Sequence, residues 1–371
     1  MGQDAKLPFS VRLMQELVQA AHHYFGRENW DEVRFGSYPG GRTERILGFL
    51  NGLQRWKVAV VPRDCRRELG RIALLAPHID GLGALYDALG DEPSRTTLAK
   101  VIAYRLMGFR RVRMPAWTPD YSRRSQQFAE GLEEKGEPPL SIGSGPALRL
   151  FSFGKIGLPF RCYQGFPRER ILFQYEYAQA DPPVAAHAGD TVIEGGSCWG
   201  EATLYFAHRA GQAGKVYAFE FAPENLAVLE RNLGLNPPLA ARVSVVRRAL
   251  WDASDRPLHF KAGGPGTTIA DSAPAEASVQ SLTIDDFAER ERLARVDFIK
   301  MDIEGAEWNA LHGAEKSIRR WRPQMAIAIY HSLEDFTRIP AYLNELGAPY
   351  DFFLDHATLH AEETILFARP R

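Results

Sequence analysis

Residues 192–200 read VIEGGSCWG, and the helical pattern EATLYFA follows at once. Strand-forming residues run into an acid, two glycines and, four positions on, a third glycine. A strand that closes in a glycine turn and re-enters as a helix is the opening unit of a parallel sheet. Its turn brings free helix N–H groups to the strand's carboxyl end, where such sheets bind ligands. The same rhythm repeats downstream. KVYAFE (215–220) precedes a helical stretch at 223–235, and VSVVRRAL (243–250) comes next. DFIKMD (297–302) leads into GAEWNALHGAEKSIRRW, QMAIAIYH (324–331) into DFTRIPAYLNEL, and the chain closes with YDFFLDH and ETILFARP. Strands alternating with helices predict an α/β fold with a doubly wound, mainly parallel sheet. Only about eight residues join the last two strands, too few for a parallel crossover, so the final strand is expected to run antiparallel.

Upstream the rhythm is different. SVRLMQELVQAAHHYF places Val11, Leu13, Met14, Leu17, Val18 and Ala21 at near-helical intervals behind a Ser10 cap. Residues 82–109 predict two more helices parted by Gly90 and Pro93, while KVAVV (57–61) and RIALL (71–75) resemble strands. The expected organisation is a mostly helical N-terminal domain over 1–115, a linker over 116–145 rich in Pro, Gly, Ser and charge, and an α/β domain over 146–371. The helical part is read as a cap over the active site or as an oligomerisation surface.

Composition narrows the function classes. At 371 residues, 45% hydrophobic, the chain has room for about two domains with full cores. A formal charge of −1 leaves no global field that favours nucleic acid or an anionic membrane. No apolar run is long enough to span a bilayer and the N-terminus lacks the pattern of a secretory leader, so a cytoplasmic location is expected. Cys65, Cys162 and Cys198 are odd in number and far apart, which suits a reducing compartment and makes no zinc cluster.

The glycine turn then has to be matched to a ligand. Gly195, Gly196 and Gly200 let the backbone turn tightly and approach it closely. Glu220 closes the second strand, where a carboxylate accepts both hydroxyls of a ribose. Measured from Gly195, the middle glycine of a dinucleotide fingerprint falls on Ser197, which argues against a pyrophosphate. An adenosine ligand without a phosphate bridge fits better, and an antiparallel last strand is typical of methyltransferases that bind S-adenosylmethionine.

DTVIEGGSCWGEATLYFA, VYAFEFAPENLAVLERNLGLN, LTIDDF, VDFIKMDIEGAEWNALHGAEKSI and RPQMAIAIYHSLEDFTRIPAYL together resemble the FkbM-type S-adenosylmethionine-dependent methyltransferases. The resemblance covers roughly residues 145–371, and IKMDIEGAE is its most specific piece. It implies a class I, Rossmann-like fold with a seven-stranded, mainly parallel sheet and an antiparallel last strand. It also implies O-methylation of a sugar, polysaccharide or glycosylated secondary metabolite. Gly196 and Gly200 match the glycines of the cofactor loop. Glu194 stands where the family usually has Asp, Cys198 where Asn is common, and Phe221 replaces a frequent proline. The expected cofactor contacts are Glu194, Gly195, Gly196, Ser197, Gly200, Glu220, Phe221, Asn225, Ala249 with Leu250 along the adenine, Asp302, and Tyr175 at the methionine end.

A sulfonium methyl is already activated, so the protein's work is to hold a nucleophilic oxygen in line and remove its proton. Asp302 and His331 close the fourth and fifth strands and Glu304 follows closely, which makes these three the expected catalytic group, with His331 as base and Asp302 orienting it or the substrate. His356 is the second choice of base. Taken alone, each of Asp302 and Glu304 is better explained by capping and the helix dipole; their convergence with His331 on one site favours the catalytic reading. Metal assistance by Asp302, Glu304, His331 and His356 is the mechanistic rival; the fifth strand ends in Tyr330–His331 and not in the acidic pair associated with metal-dependent small-molecule methyltransferases, so no required metal is expected. Trp117 and Tyr121, with Arg110, Arg111, Arg113, Arg123 and Arg124 nearby, are candidates for meeting a carbohydrate or other small acceptor. A homo-oligomer is left open. The alternatives are an N- or carboxyl-methyltransferase, a non-catalytic S-adenosylmethionine-binding protein and, least favoured, a nicotinamide dehydrogenase.

Overall fold

Seven strands make the main sheet: β1 (Thr191–Gly195), β2 (Lys215–Phe219), β3 (Val243–Val246), β4 (Phe298–Met301), β5 (Gln324–Ala328), β6 (Tyr350–His356) and β7 (Thr364–Pro370). They come from a computed structural model that describes residues 7–38, 71–142, 147–269, 277–347 and 349–371. Their spatial order is β6–β7–β5–β4–β1–β2–β3. β1 pairs in parallel with β2 and β4, whereas β7 runs antiparallel to both β5 and β6. The order therefore reverses beside β1 and β4, whose carboxyl ends form the crevice in which open α/β sheets place ligands.

Side chains alternate across the sheet with a period of two. Ile193, Ile299, Met325, Ile327 and Leu366 join one core cluster, and Val192, Phe298, Ala326, Ile365 and Phe367 join the other. The first cluster extends without a break into the N-terminal helices α1 (Phe9–His22), α2 (Ile79–Ala88) and α3 (Glu92–Met107), through Leu13, Leu82, Leu98 and Ile102. α3 starts where Asp91 accepts a hydrogen bond from the Ser94 amide at 2.8 Å. From α3, Arg105 donates to the Tyr330 carbonyl just beyond β5 and lies 5.2 Å above the Phe336 ring. The N-terminal helices thus brace the end of a sheet strand.

Two local expectations change. RIALL lies within a 3₁₀ helix, Arg71–His78, not a strand. KVAVV and Cys65 lie outside the described residues. The stretch 116–145 is more than a connection: α4 (Tyr121–Leu132) buries Ala129 and Leu132 in the second core cluster. Its outer face, rich in Arg and Gln, hides the helix from a reading by apolar spacing.

His356 is fully buried between Thr364 Oγ1, 2.8 Å from Nδ1, and Thr358 Oγ1, 3.2 Å from Nε2, which makes it a packing residue and not a base. Burial lowers its pKa to about 3, and burial followed by the charge of Arg34 takes His360 to about 2. Both rings fold neutral, and each titrates near 6.5 once unfolded. Their stabilisation is therefore complete above about pH 6.5 and is lost as the pH falls towards the folded values. Urea melts should show stability falling between about pH 6.5 and 4, and His356→Gln should flatten that fall. An unchanged slope in the variant would count against this account.

Candidate active site

β1 ends at Gly195, and the turn to α5 (Glu201–Ala210) needs backbone that few residues supply. Gly196 has φ 77°, and a Cβ there would lie 1.9 Å from the Asp302 carbonyl oxygen. Gly200 has φ 87°, and its Cβ would meet Leu229 at 2.4 Å. Cys198 adopts φ 48°, a region asparagine tolerates better than cysteine. Burial pushes its thiol pKa well up, so it is not a poised nucleophile.

The turn is held from below. Lys300, in register with Glu194 on the neighbouring strand, donates from Nζ to the carbonyls of Gly195 (2.9 Å) and Gly196 (2.7 Å). Glu194 is fully buried and accepts hydroxyl hydrogen bonds from Ser197 (3.1 Å) and Thr203 (2.6 Å). Burial raises its pKa, and the Lys300 charge opposes that rise. Glu194 and Ser197 therefore shape the turn from inside.

Above the turn is a cavity of about 60 Å³, bordered by Gly196, Cys198, Glu220, Phe221, Asn225 and Asp302. Glu220 accepts from the amides of Phe221 (2.7 Å), Ala222 (2.8 Å) and Cys198 (2.9 Å) and from Asn225 Nδ2 (3.2 Å). The Asn225 Oδ1 is buried without a partner. The outer wall is the turn around Gly264, whose carbonyl accepts from Asn225 at 3.0 Å. The adenine expectation shifts by one residue and one element. β3 stops at Val246; Ala249–Leu250 pairs instead with Ser281 and Leu282, and Leu250 with Arg248, not Ala249, borders the cavity.

At the end of β4, Asp302 is gripped by two phenols: Tyr175 donates to Oδ2 at 2.8 Å and Tyr330 to Oδ1 at 3.0 Å. Both Asp302 oxygens are thus engaged by side chains and not by the helix amides that capping would require. The turn before α8 (Glu307–His312) is held by Glu307, which accepts from the Ile303 amide at 2.7 Å and the Gly305 amide at 3.0 Å. His331 Nε2 stands 3.8 Å from Asp302 Oδ1 and 3.5 Å from Glu304 Oε2, and Nδ1 stands 3.2 Å from Glu307 Oε1. Burial by itself would lower the imidazole pKa, but the facing carboxylates of Glu304, Glu307 and Asp302 raise it to about 11. The surrounding carboxylates thus favour a proton on His331 at neutral pH, which weighs against the expected role of base.

Sequence reasoning passed over Tyr330 and Glu363. Burial, then the Asp302 charge, pushes the Glu363 carboxyl up to about 8. Tyr330 adjoins the noted histidine and was within reach of a reading by position. Glu363 comes from the β6–β7 turn, and only the strand order brings it here.

The acceptor candidates separate. Tyr121 and Arg124 border a groove of about 620 Å³ between α4 and residues 168–179. Trp117 instead donates to the Glu28 carbonyl at 2.9 Å under the Arg113 guanidinium, Arg111 is buried against the His23 carbonyl, Arg110 lies over Phe109, and Arg123 pairs with Asp120.

Among solved structures, the chain is similar to methyltransferase FkbM from Methylobacillus flagellatus KT. The two share 17% identity over 89% of this chain and 72% of that one, with a TM-score of 0.53, a likeness of fold. Weaker likenesses are to Aeropyrum pernix fibrillarin with bound S-adenosyl-L-methionine (16% identity, 50% and 68% covered, TM-score 0.33) and to a Bacillus cereus O-methyltransferase in complex with SAH (14%, 54% and 77%, TM-score 0.34). No curated protein matches the chain. No helix among the described residues is long and apolar enough to cross a membrane. Residues 184–350 match the methyltransferase FkbM domain. That segment therefore carries a methyltransferase domain of the FkbM type.

Proposed function

We propose that this methyltransferase transfers a methyl group from S-adenosylmethionine to a hydroxyl of a sugar, polysaccharide or glycosylated secondary metabolite. One observation carries the reading: Asp302 borders the same cavity as Gly196 and Glu220, so a proton acceptor stands beside the crevice where the cofactor would lie. The residues present suit that cofactor. Gly196 has no room for a side chain, and Asn225 turns a buried, unpartnered oxygen beside a carboxylate suited to a ribose.

S-adenosylmethionine supplies a methyl carbon on a sulfonium; transfer breaks the C–S bond, leaves its electron pair on sulfur and forms the O–CH₃ bond. Glu220 receives the ribose hydroxyls by giving up donors it now holds, Asn225 Nδ2 being the most readily released. A cavity of about 60 Å³ is well below the several hundred typical of a nucleoside-sized site, so the Gly264 turn has to swing outward on binding. Asp302, oriented by Tyr175 and Tyr330, takes the hydroxyl proton as the oxygen attacks. In the metal-free protein the His331 imidazolium steadies the acceptor oxygen.

Calorimetry should detect S-adenosylmethionine and its demethylated product but not NAD; equal binding of NAD would sink the cofactor reading. Gly196→Ala should abolish cofactor binding and cost more than about 2 kcal/mol in a urea melt, since it forces a side chain into left-handed backbone against a carbonyl. Glu220→Gln should weaken S-adenosylmethionine binding by about tenfold or more. Asp302→Asn should lower turnover on a sugar acceptor by about a hundredfold or more with cofactor affinity nearly unchanged. A fully active Asp302→Asn enzyme would remove it as the proton acceptor.

A further inference from the structure

We infer that Asp302, Glu304 and His331 form a binding site for a divalent first-row metal ion of the manganese type. The binding stands on geometry alone; only the ion's use in methyl transfer rests on the function proposed above.

One ligand atom from each of the three residues lies within 4.8 Å of the others, with separations of 3.5 and 3.8 Å measured from His331 Nε2. An ion bonded at about 2.1 Å keeps adjacent ligands about 3 Å apart and opposite ones about 4.2 Å apart. The measured separations fall between these limits, so an ion can enter with side-chain adjustment only.

The surroundings are those of a ligand shell. A metal-bound histidine characteristically presents its other ring nitrogen to a carboxylate, which sets the tautomer and the ring's aim. His331 Nδ1 faces Glu307 Oε1 at 3.2 Å, and Glu307 is buried and fixed by two backbone amides. Asp302 has both oxygens oriented by phenols, as a ligating carboxylate requires. Both ring nitrogens of His331 are shielded from solvent and neither makes an aligned hydrogen bond, and the Oε2 of Glu363 is likewise buried without a partner. Three carboxylates therefore face one imidazole. Lys300 directs its ammonium at the backbone carbonyls of Gly195 and Gly196.

One imidazole with two carboxylates favours Mn²⁺, Fe²⁺, Co²⁺ or Zn²⁺ over Mg²⁺, which prefers oxygen ligands and retained waters. Three protein ligands leave open positions, and Asp302 and Glu304 both border the cofactor cavity. An acceptor hydroxyl bound at an open position would be acidified next to the methyl donor.

The test uses the full chain, stripped with EDTA and titrated with Mn²⁺ while the free-ion electron paramagnetic resonance signal is followed. The expected result is one saturable site, with the apparent affinity falling at least about tenfold in Glu304→Gln and in His331→Ala and holding in the distant Glu289→Gln. Circular dichroism and S-adenosylmethionine calorimetry on the same samples establish that each variant is folded. They also separate failure of the metal site from failure of the cofactor reading. No saturable binding up to about 1 mM Mn²⁺, or binding that both site substitutions leave intact, overturns the inference and leaves the cluster as a protonated, ion-paired one.

Discussion

One buried ammonium organises the site. Lys300 is 2% exposed, and its Nζ bridges the carbonyls of Gly195 and Gly196 where β1 gives way to the turn. Removing a lysine charge from water costs several kcal/mol unless partners replace the hydration. Here two carbonyls and the neighbouring Glu194 do so. The consequence is positional. The bridge draws the glycine turn against the end of β4 so tightly that a methyl group at Gly196 would strike the Asp302 backbone. The loop that would receive the cofactor and the carboxylate that would receive the proton are set by the same contact. Tyr175 reinforces it, with its ring 4.9 Å from the ammonium and its hydroxyl on Asp302.

What was legible in the sequence is what period and spacing encode. VIEGG followed by a helical run, the alternation after it, and a connection too short for a crossover led to a parallel sheet with an antiparallel closing strand, because burial and chain length act locally. Asp302, Glu304 and His331 were legible as residues at strand ends, and they do converge. Their division of labour was not. Which carboxylate holds the turn depends on where α8 begins: Glu307 does so, Asp302 does not, and a motif cannot tell them apart. Glu363 reaches the site only because β7 inserts between β5 and β6. Ala249 falls outside β3, which ends four residues before the 243–250 stretch does.

The N-terminal helices have a physical reason to be where they are. β6 is an edge strand, and α3 packs against it, covering apolar surface that an edge would otherwise expose. The same helix sends Arg105 to the Tyr330 carbonyl, the residue between β5 and His331. Helices outside the family-matched segment are therefore mechanically coupled to the imidazole. Loss of α3 packing would be felt as misplacement of His331 as well as loss of stability.

Two of the carboxylates at this edge come with backbone strain. Glu304 has φ 56° and Glu363 φ 70°, a region that costs a side-chain-bearing residue about 1–2 kcal/mol. Such conformations persist only where surrounding contacts over-determine them. For Glu304 the contacts are visible: Glu307 ties the amides of Ile303 and Gly305 on either side of it and then faces His331. The residue that imposes the strained turn is thus also the one that orients the imidazole. Glu304, Glu307 and His331 form one mechanical unit. Their substitutions should not add, because each removes an interaction on which the placement of the other two depends.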